Sequence, residues 1–275
     1  MTPDDDEFGF ILESMITMPL KGIVYPPSIY SLFNKNSYKN SYKENNSIVS
    51  ILDGQPADYN PAVKYGHTNE SLDAVVNGLE VQPSDDIIGV CGSGDQAFAM
   101  LENAKSVVVV DNNEYQVDYA KERASMLKAG DIESFLNLGA KKYGNKITDG
   151  NDVRLYFSQP GRLERIRANI GNLEIKYAKD FLDEMKEGRF SKAYLSNILG
   201  YYGFMENKEE REAYIEKIMA RLREPGLVYI TNGATAFVSC PPGIENADEL
   251  TAIARAEEKE KGLLKWSPAV LRRAA

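Results

Sequence analysis

Residues 86–95 read DIIGVCGSGD, an apolar segment that runs directly into a turn with two glycines. The segment Asp86–Val90 predicts a buried β-strand. Glycine in the turn permits positive φ and a close approach of a ligand to the backbone, and the N–H groups at the start of the next helix point toward that ligand. The stretch therefore predicts an α/β fold with a ligand site at the carboxyl end of this strand.

An acidic residue follows the next apolar segment. Residues 106–110 form a nearly unbroken β-branched run, which is typical of a strand whose two faces are both covered, and Asp111 comes directly after it. A carboxylate about twenty residues after a glycine-rich turn can accept hydrogen bonds from both hydroxyls of a ribose. The turn and the carboxylate together predict a nucleoside-binding half-domain.

Three kinds of nucleotide site compete for this turn. Ala97 replaces the third glycine of a dinucleotide-binding turn, and such turns tolerate alanine, so the spacing leaves NAD open. Asp95 discriminates better, because its carboxylate would repel a pyrophosphate and attract the ammonium and sulfonium groups of S-adenosylmethionine. A P-loop is disfavoured, since no Gly-Lys-Ser/Thr follows. The residues therefore favour S-adenosylmethionine.

Short apolar segments alternate with amphipathic ones from about residue 70, which indicates βα units on a mostly parallel sheet. Further strands are predicted at 173–177, 192–198, 227–231 and 235–239. Helices are predicted at 71–79, 114–128, after Asp131, after Pro160, at 208–222 behind Asn207 and at 248–261. We expect an N-terminal extension or lid at 1–60, an S-adenosylmethionine-binding Rossmann-like domain at 61–240 and a C-terminal helical tail at 241–275.

The composition argues against several functional classes. The chain has 275 residues and a formal net charge of −9, so its surface should repel nucleic-acid phosphates. Cys91, Cys240 and His67 are its only cysteines and histidine, which gives neither a disulfide framework nor a metal-ligand cluster. No apolar segment is long enough to span a membrane, and the acidic N-terminus is unlike a signal peptide. We expect a cytoplasmic protein whose substrate is not a nucleic acid.

Three segments resemble one family. Residues 87–97 (IIGVCGSGDQA), 110–116 (VDNNEYQ) and 194–201 (YLSNILGY) are similar to the S-adenosylmethionine-dependent amino-carboxypropyl transferases of betaine-lipid synthesis, a branch of the class I methyltransferase fold. The pair Ser196 and Asn197 is the most distinguishing element, because ordinary methyltransferases usually differ there. The resemblance implies a mostly parallel central sheet with helices on both faces. It also implies transfer of the 3-amino-3-carboxypropyl group to a hydroxyl or amine of a small molecule or lipid headgroup, with release of methylthioadenosine.

Two other functions stay open at this point. A methyltransferase would use the same cofactor on the same fold and present a different carbon to the acceptor. A noncatalytic S-adenosylmethionine-binding module whose N-terminal extension contacts a partner also fits the sequence. The residues by themselves do not choose among the three.

The predicted site combines the turn, the end of the second strand and two later segments. Asp180 is placed to bind adenine with Phe181 stacked on it, although a helix N-cap explains Asp180 equally well. Catalysis is assigned to His67 as a general base, with Tyr65 beside it and Tyr201 ordering an acceptor. The predicted cofactor-binding residues are Cys91, Gly92, Ser93, Gly94, Asp95, Asp111, Asn112, Gln116, Asp180, Phe181, Ser196 and Asn197.

Overall fold

One twisted sheet organises the part of the chain that the computed structural model describes, which is residues 63–142, 151–200, 207–232, 240–261 and 266–274. Its strands are β1 (Asp86–Val90), β2 (Ser106–Asp111), β3 (Leu173–Tyr177), β4 (Lys192–Tyr194), β5 (Leu227–Asn232), β6 (Ile244–Asn246) and β7 (Ser267–Arg273). They lie in the order β3-β2-β1-β4-β5-β7-β6. The first five are parallel, and β7 runs antiparallel to both of its neighbours. This confirms the predicted Rossmann-like sheet of the class I methyltransferase fold.

Helices cover both faces of the sheet. They are α1 (Leu72–Gly78), α2 (Asp95–Leu101), α3 (Glu114–Ala129), α4 (Ile132–Lys142), α5 (Asn151–Phe157), α6 (Arg162–Asn169), α7 (Lys208–Arg221) and α8 (Asp248–Lys261). Alternate strand residues point to opposite faces, so Ile87 and Val107 join one apolar core, and Ile88 and Val108 join the other. Burial on both faces explains why β1 and β2 are nearly continuous apolar runs.

The ends of the helices follow their capping residues. The Asn113 side chain accepts a hydrogen bond from the Tyr115 N–H at the start of α3, and Gly130 ends that helix with φ 82°. This left-handed backbone conformation favours glycine, which has no Cβ to clash with the backbone. The Asn207 side chain likewise caps α7 by accepting from the Glu210 N–H. These observations confirm the helix start predicted behind Asn207 and place the end of the helix predicted at 114–128 at Gly130.

The segment after residue 240 differs from the predicted helical tail. Helix α8 has the predicted bounds, but β6 lies before it and β7 after it, and these two strands complete the sheet beside β5.

Two other elements also differ from the prediction. Helix α5 was not predicted, and β4 ends at Tyr194, before residue 198, because the chain turns at Ser196, whose φ is 51°. The strand predicted at 235–239 lies outside the described residues. Among the described helices, none combines the length and the apolar character that crossing a bilayer requires.

Candidate functional site

A cavity of about 410 Å³ opens at the carboxyl ends of β1, β2 and β4. This is where the strand order reverses direction, since β1 lies between β2 and β4, and open α/β sheets bind ligands at such a point. Residues from several segments that are distant in the sequence line it. They include Cys91, Gly92 and Ser93 of the turn, Asp111, Asn112 and Gln116 near β2, Ala178 and Phe181 after β3, Ser196 and Asn197 after β4, and Tyr65, His67 and Glu70 before α1.

Hydrogen bonds fix the turn after β1 to the carboxylate of Asp111, the last residue of β2. The Gly92 N–H donates to Asp111 Oδ2 over 3.1 Å, and the Asn113 N–H donates to Asp111 Oδ1 over 3.0 Å. Burial raises the pKa of Asp111, and these two N–H groups partly offset that effect. Gly92 has φ 49°, and open space surrounds the position that a Cβ would occupy. The site therefore presents a bare backbone edge beside a carboxylate.

Asp95 does not have the role that the sequence indicated. It is fully buried, it does not line the cavity, and its Oδ1 lies 2.6 Å from a guanidinium nitrogen of Arg123. Burial alone would raise the pKa of Asp95, but the charge of Arg123, acting together with His67 and the Ser93 hydroxyl, outweighs burial and holds that pKa well below its ordinary value. The expectation of a carboxylate free to attract a sulfonium was wrong, because Arg123 already neutralises it. Gly94 also lies outside the cavity lining and begins α2 with φ 85°.

Arg123 is a residue that sequence reasoning missed. Its side chain is fully buried, donates to the Ser93 carbonyl over 2.8 Å and contacts the rings of Phe98, Tyr119 and Phe135. The sequence does contain a signal for this role, because Arg123 lies at helical spacing among the buried residues of α3. A charged residue on such a stripe requires a buried partner. That partner is Asp95.

The segment before α1 is fastened over the cavity by α3. Gln116 Oε1 accepts hydrogen bonds from the Lys64 and Tyr65 N–H groups, over 3.1 and 3.2 Å, and Gln116 Nε2 donates to the Tyr65 carbonyl over 2.9 Å. The Tyr119 hydroxyl donates to the Gly66 carbonyl over 2.6 Å. Gln116 lines the cavity, but its polar atoms hold this segment in place.

His67 and Tyr65 both line the cavity, as the catalytic prediction requires. His67 is 3% exposed, and its Nδ1 lies 3.6 Å from Asp95 Oδ2, which is longer than a hydrogen bond. Neither ring nitrogen has a hydrogen-bond partner within the described residues. Tyr201, the third predicted catalytic residue, lies outside the described residues.

Glu70 is not among the predicted site residues, and the structure places it in the cavity wall. Its Oε2 accepts from the Tyr194 hydroxyl over 2.9 Å, and its Oε1 accepts from the Ser196 hydroxyl. Burial raises the pKa of Glu70, although those hydroxyl donors partly oppose the rise. Trp266, another lining residue that was not predicted, donates from Nε1 to the Asn69 carbonyl over 3.2 Å.

Asp180 has the second of its two predicted roles. Its Oδ1 accepts from the Leu182 N–H over 2.9 Å and from the Tyr214 hydroxyl over 2.6 Å, so it caps the short 3₁₀ helix at Phe181–Glu184. It does not line the cavity, whereas Phe181 and Ala178 do. The prediction that Asp180 binds adenine is therefore replaced by the N-cap interpretation, and Phe181 keeps its place in the cavity wall.

No protein-family model and no curated protein matches the chain. The structurally similar proteins include the cyclase SpnF, with 12% identity, 74% of this chain and 80% of that chain covered, and a TM-score of 0.42. SMU.1697c from Streptococcus mutans, solved with SAH, has 12% identity, covers 76% and 100% of the two chains, and has a TM-score of 0.38. TrmN from Thermus thermophilus has 12% identity, covers 74% and 48%, and has a TM-score of 0.40. Each likeness concerns the fold alone.

Proposed function

We propose that the cavity binds S-adenosylmethionine and that the protein is an S-adenosylmethionine-dependent transferase. The observation that carries the proposal is the pairing of Asp111 with the Gly92 N–H at the rim of the cavity. A carboxylate at the end of the second strand suits two vicinal ribose hydroxyls, and a bare glycine turn admits a nucleoside close to the backbone. The volume of about 410 Å³ falls within the usual range for small-molecule sites.

The residues present fit each end of this ligand. Asp111 would accept from the ribose hydroxyls, and the apolar wall at Phe181 and Ala178 would cover the adenine. Glu70, Ser196 and Asn197, which line the cavity on the other side of the turn from Asp111, would contact the methionine part of the ligand. When bound, S-adenosylmethionine supplies an activated sulfonium, so the protein needs chiefly to align an acceptor with the reacting carbon and to exclude water. His67, buried in the wall, is our candidate for the group that receives the acceptor's proton.

For the group transferred, we propose the 3-amino-3-carboxypropyl chain. The support is the resemblance of residues 194–201 to the amino-carboxypropyl transferases, together with the presence of Ser196, Asn197 and Ile198 in the cavity wall. The acceptor would attack the γ carbon, the carbon–sulfur bond would break, and methylthioadenosine would leave with the sulfur electron pair. Methyl transfer is the competing reaction, and it would leave S-adenosylhomocysteine.

Calorimetry with S-adenosylmethionine tests the binding proposal. Wild type should bind, and Asp111→Ala should weaken binding about tenfold or more, because a charge-assisted pair of hydrogen bonds is lost. Asp118→Ala, which removes an exposed carboxylate from α3, is the matched control and should bind like wild type. Equal affinity in wild type and Asp111→Ala would remove Asp111 from the site.

Product analysis tests the transferred group. The protein, S-adenosylmethionine and a cell extract that supplies acceptors should yield methylthioadenosine above the level of a protein-free control. S-adenosylhomocysteine as the dominant product would exclude amino-carboxypropyl transfer and leave the cofactor proposal standing. Binding without either product would instead indicate a noncatalytic module.

A further inference from the structure

Glu70 is a carboxylate in the cavity wall whose charge has no cationic partner among the described residues. Its side chain is 7% exposed, and its hydrogen-bond donors, the hydroxyls of Tyr194 and Ser196, are both neutral. No ion pair within the described ranges includes it. Asp95, by contrast, is neutralised by Arg123. Glu70 is thus positioned to attract the positive charge of a ligand.

The surroundings hold Glu70 in one place. Its own N–H donates to Thr68 Oγ1 over 3.1 Å, and the Thr68 N–H donates to Asp95 Oδ2 over 2.8 Å, which ties Glu70 to the turn after β1. On the other side of Glu70, the chain turns at Ser196 just after β4. Ser196 has φ 51°, a backbone conformation that residues other than glycine rarely adopt. Glu70 therefore lies between the turn and the segment after β4, at a fixed position.

This position is on the opposite side of the turn from Asp111. Asp111 is the last residue of β2, and Glu70 contacts residues at and after β4, while β1 lies between those strands. Strands β2 and β4 are two strand spacings apart, which is about 10 Å. If Asp111 binds the ribose, an extended amino-acid chain on the 5′ side would run over the turn toward Glu70.

A buried carboxylate without a cation is costly, and the bound ligand can relieve that cost. Burial favours the neutral form, which is why the pKa of Glu70 is raised. An ammonium placed against the carboxylate would restore its charge and form a charge-assisted hydrogen bond. A neutral ligand of the same shape would gain neither effect.

Resting on the proposed cofactor, we propose that Glu70 forms an ammonium subsite, which binds the α-ammonium of the methionine moiety of S-adenosylmethionine. The Tyr194 and Ser196 hydroxyls orient the carboxylate, and the subsite fixes the chain that is to be transferred. Glu70 thus attracts the positive charge of the ligand, a role that Asp95 does not have because it is already paired with Arg123.

Two ligands that differ in the ammonium-bearing chain test the proposal. S-adenosylhomocysteine carries the chain, and methylthioadenosine lacks it. Calorimetry should show that Glu70→Gln weakens S-adenosylhomocysteine binding about tenfold or more and changes methylthioadenosine binding by less than about twofold. Glu70→Asp, which keeps the charge on a shorter side chain, should recover part of the loss.

Glu258→Gln is the matched control, because Glu258 is also a buried carboxylate, binds the Ser71 N–H over 2.8 Å and does not line the cavity. It should not discriminate between the two ligands. An equal loss of both ligands in Glu70→Gln, or no loss of S-adenosylhomocysteine, would overturn the subsite. If wild type binds neither ligand, the proposed cofactor fails and the subsite falls with it; if wild type binds both, only the subsite is at issue.

Discussion

At the scale of single residues, two buried carboxylates near the cavity have opposite electrostatic surroundings. Asp95 is paired with the Arg123 guanidinium at 2.6 Å and is kept ionised. Within the described part of the chain Glu70 has hydroxyl donors only, and burial raises its pKa. The first carboxylate therefore joins the turn, α3 and the segment before α1 into one unit. The second is a carboxyl group at the cavity that has no cationic partner among the described residues.

Arg123→Met should be strongly destabilising, since it leaves Asp95 buried without its cation. We expect a loss of about 3–5 kcal/mol in the free energy of unfolding, measured by urea titration. The double variant Arg123→Met with Asp95→Asn should lose less than the sum of the two single variants, because the second change removes the charge that the first left unpaired. Lys121→Met, an exposed position on the same helix, serves as control. Additive losses would show that the pair does not act as a unit.

Ligand-free stability should depend on pH through Glu70. A carboxyl whose pKa is raised by folding binds its proton more tightly in the folded state, so folding becomes less favourable as pH rises from the ordinary carboxyl range through the raised pKa. Tyr194 and Tyr229 are the neighbouring titratable groups, and burial raises the pKa of both phenols, so they stay neutral in this range. Unfolding of wild type and Glu70→Gln, compared from pH 4 to pH 8, should show wild type losing stability relative to the variant as pH rises. A constant difference would contradict this.

At the scale of elements, the parts that the sequence predicts well are those whose signal is local. Strands β1 and β2 are apolar runs buried on both faces, and α3 and α7 begin at asparagine caps. Strand β7 carries no comparable signal, because its stability comes from antiparallel pairing with β5, a segment about forty residues earlier in the chain. The sequence alone therefore does not indicate that β7 pairs with β5.

Helix α7 provides a test of the capping argument. Asn207→Ala removes the side chain that accepts from the Glu210 N–H over 2.8 Å, and we expect a loss of about 0.5–2 kcal/mol in the free energy of unfolding. Asn207→Asp keeps an acceptor at the cap and should retain wild-type stability. Chemical denaturation of the three proteins measures both effects. A loss in Asn207→Asp as large as that in Asn207→Ala would mean that the cap is not the cause.

At the scale of the whole molecule, the sheet brings distant segments to one edge. That Gly92, Asp111, Ser196 and Phe181 lie near one cavity could be predicted, because each lies at or soon after the carboxyl end of a strand. Glu70 could not, since its hydrogen-bond partners Tyr194 and Ser196 are 124 and 126 residues away. Trp266, 197 residues from its partner Asn69, reaches the cavity only because β7 returns the chain to it.

Because so many distant segments meet there, a bound ligand should stabilise the whole fold. A ligand at a hundred times its Kd adds about 2.7 kcal/mol, which for a chain of this size raises Tm by roughly 5–10 °C. We expect this rise with S-adenosylhomocysteine in wild type and a much smaller one in Asp111→Ala, both followed by thermal unfolding. NAD is the informative comparison, since Ala97 leaves a dinucleotide turn open on spacing alone. If NAD raises Tm and S-adenosylhomocysteine does not, the turn binds a dinucleotide, and the backbone edge at Gly92 then contacts a pyrophosphate.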